Sequence, residues 1–179
     1  MKTTHNLIRS FIIVPLVATT LSMNAFTASI NQAITPLVAQ TEQEHLQQQE
    51  REAKAAKIDA YYAKYDLPLA GYGMKLVLAA EANDLDWRLL PAIAMRETTG
   101  GKFACKKNLF GFGSCKIGYE SFDHSIEEVA AHLGGNKPTT ARYYANKTVE
   151  QKLKAYNSVI PAYKAEIFSI MSKIEATVV

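Results

Sequence analysis

Of the 17 acidic residues in this chain of 179, Glu97 sits where a carboxyl group could do chemistry. Leu90, Ile93, Ala94 and Glu97 fall at i, i+3, i+4 and i+7, so the carboxyl shares a helix face with core-forming residues. The run WRLLPAIAMRE stops just beyond it, at Thr98-Thr99-Gly100-Gly101. Glu97 therefore also lies at the negative end of the helix macrodipole. Burial and dipole both favour the neutral acid over the anion, which is the form a general acid needs. The plainer reading is a solvated ion pair with Arg96 or Lys102. Cys105 and Cys115, the only two cysteines, stand ten residues apart around NLFGFG. In an oxidising compartment that pair can close a short loop worth about 2–3 kcal/mol, the alternative being two free thiols.

These groups need elements to hold them. Phe103 to Phe122, with its glycines, aromatic residues and both cysteines, predicts a loop and a small hairpin. Helices are predicted on either side. Met74–Ala82 and a helix through Glu97, with Asp86 as its N-cap, precede the lobe. Ser125–Leu133, Thr148–Tyr156 and a last helix opened by Pro161 and running to about Glu175 follow it. Pro91 predicts a late start or a kink in the Glu97 helix. The fold class is mainly α, one packed domain over residues 66–176 with a Gly-rich hairpin lobe. Before it, residues 29–65 read as a loose linker followed by a polar helical stalk that docks at Tyr61, Tyr62 and Tyr65.

Residues 1–28 read as a signal peptide or N-terminal anchor. Lys2 and Arg9 precede the apolar run Phe11–Leu21, which Pro15, Thr19 and Thr20 keep below the ~20 apolar residues a membrane helix needs. Export to the cell wall, periplasm or medium follows as the expected location, with membrane contact only through this segment. The formal charge of +3 includes Lys2 and Arg9, and the remaining 18 basic and 17 acidic residues nearly balance. Such a body has no field that argues for nucleic acid. No set of ligands with metal spacing accompanies His124 and His132, so neither a metal nor a cofactor is expected, and no sustained heptad argues against a monomer.

Three ordered segments resemble the bacterial autolysin-type endo-β-N-acetylglucosaminidases of the lysozyme-like superfamily. They are Glu97-Thr98-Thr99-Gly100-Gly101 (with Thr98 where the family carries Ser), Asn108-Leu109-Phe110-Gly111, and Tyr119 through Ile126. The resemblance spans roughly 67–175. It implies a lysozyme-like fold, a peptidoglycan cleft, and attack on the β-1,4 bond between N-acetylglucosamine and N-acetylmuramic acid with Glu97 as general acid. It further implies that Thr98 and Asn108 hold the acetamido sugar, that Phe110, Gly111 and Phe112 line the cleft, and that Tyr144 and Tyr156 flank the acid. Glu120 and Asp123 are the candidates for a second carboxylate. Without one, the reaction would be that of a lytic transglycosylase, in which one Glu serves as acid and then base. A non-catalytic wall binder or a structural envelope protein of the same fold is the alternative.

Overall fold

The computed structural model describes residues 20–179; the leader residues 1–19, including most of the Phe11–Leu21 run, lie outside them. The chain divides into two compact units, residues 1–46 and 47–179. The described part of the first unit is helical throughout and belongs to α1 (Thr20–Ala63). The loose linker expected at 29–40 is instead helix: the stretch has no glycine, and Pro36 is accommodated inside α1. Among the described residues no helix is long and apolar enough to cross a membrane.

The second unit is all helix and turns: the end of α1, then α2 (Gly73–Glu81), α3 (Leu89–Thr98), α4 (Phe122–Gly134), α5 (Ala141–Tyr144), α6 (Val149–Tyr156) and α7 (Tyr163–Glu175). Helix α3 is its axis. Leu89, Leu90, Ala92, Ile93 and Ala94 are fully buried, and α3 packs mainly on α7. An apolar stripe on α7, Tyr163, Ile167, Met171 and Ile174, meets it. Helices α2 and α4 cover another side, with α5 and α6 linking α4 back to α7. The last turns of α1 belong to the same core through Ala55, Ile58, Tyr61 and Tyr62, so packing begins well before residue 66. The Tyr62 hydroxyl donates to the Pro91 carbonyl at 2.7 Å.

The ends of α3 fix where its acid stands. Pro91 is its third residue, inside the first turn, where an N–H has no partner within the helix, so the helix starts late rather than kinking. Asp86 caps no helix; its Oδ1 accepts from Arg88 N at 2.9 Å in a local turn. At the other end Thr99, not a glycine, takes the left-handed conformation with φ 51°. Gly100 N returns to the Ala94 carbonyl at 3.2 Å, which closes the helix sharply after Thr98. Gly100 itself is needed for contact, since a Cβ there would lie 2.9 Å from the Tyr62 ring.

The lobe after α3 differs from the expected hairpin. Among the described residues it has no strand, only an isolated bridge between Cys105 and Asn108 and a 3-10 turn over Ser114–Lys116. The physical reason is Asn108, which is 2% exposed. Its Nδ2 reaches the carbonyls of Phe112 (2.8 Å), Ser114 (3.3 Å) and Ile117 (3.2 Å), and its Oδ1 accepts from Phe112 N (3.2 Å). Backbone groups that a partner strand would have satisfied are satisfied by one side chain. Cys105 is disulfide-bonded; the side chain of Cys115, the other cysteine of the chain, lies outside the described residues.

Candidate active site

Glu97 is half-buried in the last turn of α3, and three separate elements fix it. From α7, the Tyr163 hydroxyl donates to Oε1 at 2.7 Å. From the lobe, Gly111 comes so close that a Cβ there would stand 3.0 Å from Oε2; its φ of 62° is the left-handed region that glycine tolerates best. From α3 itself, the sharp stop after Thr98 sets the direction of the side chain.

Tyr163 is 1% exposed. Burial pushes its hydroxyl far above the usual tyrosine range, and the hydrogen bond to Glu97 and the carboxylate charge push it further. The hydroxyl therefore stands as a neutral donor to Glu97. Its ring is stacked on Tyr156 (centroids 6.2 Å apart, planes at 15°) and lies under the Arg96 guanidinium at 5.8 Å. Arg96 is engaged with Glu166 of α7, so the cation beside Glu97 is not its own counter-ion.

A cleft of about 210 Å³ opens over Glu97, lined also by Thr98, Phe103, Cys105, Asn108, Gly111 and Ser114. Larger hollows of about 570 and 580 Å³ lie along Tyr61–Lys173 and Arg96–Lys173, but neither presents a carboxyl fixed by a neutral donor.

Of the residues singled out from the sequence, the cleft gathers Glu97, Thr98, Asn108, Gly111 and Cys105. Thr98 and Asn108 are there as builders. Thr98 is 4% exposed, and its hydroxyl bridges the Ala94 carbonyl (3.0 Å), the Leu109 carbonyl (2.7 Å) and Gly101 N (3.1 Å). It ties the end of α3 to the lobe and is buried there with its proton given to the chain, and the buried Asn108 amide is likewise bonded to the lobe. Phe110 is fully buried, so its ring belongs to the core rather than the cleft wall. Its carbonyl accepts the Tyr156 hydroxyl, which pins the residue next to Gly111. Tyr144 is 5% exposed and packs in the core. Phe112 stacks on His132 at 4.7 Å, outside the cleft lining.

No family model, curated protein or solved structure matches the chain. What the site can do follows from its groups. Glu120 and Asp123 are exposed and line no part of the cleft; Asp123 faces Lys75 at 3.7 Å. Glu97 is thus the single carboxyl among the described lining residues. Among the described residues no cluster of three His, Cys, Asp or Glu could hold a metal ion. The sequence pattern missed Tyr163, 66 positions from its partner. One signal was present: a hydroxyl in the otherwise apolar α7 stripe needs a buried acceptor.

Proposed function

We propose that the protein cleaves the glycan strands of peptidoglycan at the β-1,4 bond between N-acetylglucosamine and N-acetylmuramic acid, with Glu97 as the general acid, in an exported lysozyme-like domain. The observation that carries this reading is the fixed Glu97 carboxyl, alone in its cleft and gripped by Tyr163. The three ordered segments that resemble autolysin-type glucosaminidases support the substrate.

The lone carboxyl favours the single-acid route over hydrolysis with two carboxylates. Hydrolysis needs a second group roughly 5–9.5 Å from the acid, and neither Glu120 nor Asp123 lines the cleft. In the single-acid route Glu97 gives its proton to the leaving glycosidic oxygen as the bond to C1 breaks. The resulting carboxylate then takes a proton from a hydroxyl of the same sugar as that oxygen bonds to C1. No external nucleophile enters, and the product carries an anhydro end.

Purified peptidoglycan incubated with the protein, followed by mass spectrometry of the soluble fragments, tests this. Anhydro-ended fragments are the expected result; reducing ends would replace the single-acid route by hydrolysis, and no fragments would overturn catalysis. A second reading, a wall binder without turnover, is favoured by the Glu97 carboxyl being already engaged by the Tyr163 hydroxyl. Sedimentation with the wall without any release would establish it.

A further inference from the structure

The charge of this chain is unevenly spread around the cleft. Between Thr98 and Tyr119 there are four lysines, Lys102, Lys106, Lys107 and Lys116, and no acid, while the chain beyond the leader is close to neutral. All four are exposed. Among the described residues none of the four forms an ion pair, as is also true of Lys64, Lys147, Lys154 and Lys173, whereas Lys54, Lys57, Lys75, Lys137 and Lys164 face carboxylates. The Lys107 ammonium donates to the Glu120 carbonyl.

Along the chain the four flank residues that line the cleft, without lining it themselves. Lys102 precedes the lining residue Phe103, Lys106 follows Cys105, Lys107 precedes Asn108, and Lys116 comes two after Ser114. Asn108 holds the backbone from Phe112 to Ile117 in one shape, so Lys116 is carried on a fixed turn rather than on a loose tail. Phe103 is the second observation. It is 69% exposed at the cleft, with the Lys102 ammonium 5.7 Å from its ring centroid. Its bare ring offers a flat face on which a sugar ring can rest.

We infer that the lysine rim and Phe103 form a docking wall for an anionic glycan, the ring taking a sugar face and the lysines the carboxylates or phosphates attached to the strand. This deepens the proposed function and rests on it, since it names the charge class of polymer the Glu97 cleft receives. Four unpaired cations on one rim raise the local concentration of a polyanion, an attraction that falls with ionic strength because the Debye length is only ~10 Å at 0.1 M.

The test is sedimentation of the full chain carrying Glu97→Gln, which leaves bound strands uncut, with purified sacculi between 20 and 500 mM salt. Binding is expected to weaken on the order of tenfold or more across that range, and to be weak and salt-insensitive on neutral chitin. In K102Q/K106Q/K107Q/K116Q the binding at low salt should drop by a similar factor with the salt dependence flattened, its fold checked by circular dichroism. The wild-type salt titration stands without that variant. Sacculi stripped of phosphodiester polymers by hydrofluoric acid, and sacculi whose stem carboxylates are amidated, separate the two sources of charge; lost binding on either supports the inference and names the source. Salt-insensitive binding, equal binding to sacculi and chitin, or tighter binding to duplex DNA overturns it. If salt-insensitive binding accompanies fragment release by the wild type, only this inference falls; absence of both binding and release removes the proposed function as well.

Discussion

Gly111→Ala separates an account based on a positioned carboxyl from one based on fold stability. At φ 62° an alanine costs roughly 1–2 kcal/mol relative to glycine. For a packed unit of this size that lowers the melting temperature by about 3–8 °C. The new Cβ would also stand 3.0 Å from Glu97 Oε2. The carboxyl must give way while its other oxygen is held by Tyr163 at 2.7 Å. A misplacement of ~1 Å at a reacting group costs ~10²-fold, so a shift of a few tenths predicts a loss of roughly tenfold or somewhat more in fragment release. Gly71→Ala is the matched control. Its φ is 92°, a Cβ there meets nothing within 4 Å, and its N–H to Asp59 is retained. It carries the backbone strain without touching the site. Calorimetry and dye-labelled wall release on both proteins give the comparison. Equal release by the two variants, at similar losses of stability, would refute the positioning argument.

Tyr163→Phe removes the donor to Glu97; a hydrogen bond to a charged group is worth about 1.5–3 kcal/mol, so release should fall roughly ten- to a hundredfold while stability changes by about 1 kcal/mol or less, because water reaches the half-buried carboxyl. Thr98→Val leaves the Leu109 carbonyl and Gly101 N–H without their partner and should cost about 1–3 kcal/mol in urea unfolding, whereas Thr98→Ser retains the hydroxyl and most of the stability. Tyr62, Tyr156 and Tyr163 all hold their protons more tightly folded than unfolded, mainly through burial. Their stabilising contribution is complete below the unfolded value near 10 and is lost as pH rises above it, at about 1.4 kcal/mol per pH unit for each tyrosine. Urea titrations between pH 9 and 11 should show that decline, shallower in Tyr163→Phe; a pH-independent midpoint would contradict it.

Much of the helical frame was legible in local patterns. The apolar spacing on α3 placed Glu97 at a buried helix end, and Thr148 with Gln151 forms the capping box that starts α6, as a polar cap three residues before Gln suggests. The lobe was not legible, because a glycine-rich loop between cysteines reads as a hairpin unless one knows that the Asn108 amide will satisfy its backbone. The motif asparagine and threonine were assigned to a sugar, yet both spend their hydrogen bonds on the chain. Phe110 is equally a core residue. Tyr163 escaped notice because its partner is distant in sequence and its neighbours on α7 are apolar. The continuity of α1 through 29–40 escaped because Pro36 looks like a breaker, while nothing else in that stretch opposes helix.

The most direct measurement of the central claim is the rate of glycan-fragment release by Glu97→Gln relative to the wild type on the same purified peptidoglycan. Gln preserves size and can still accept from the Tyr163 hydroxyl, but it has no acidic proton to give to a leaving oxygen. Release should fall by at least ~10²–10⁴-fold, with unfolding and wall binding close to those of the wild type. Release at the wild-type rate from a folded Glu97→Gln protein would contradict the assignment of Glu97 as the acid.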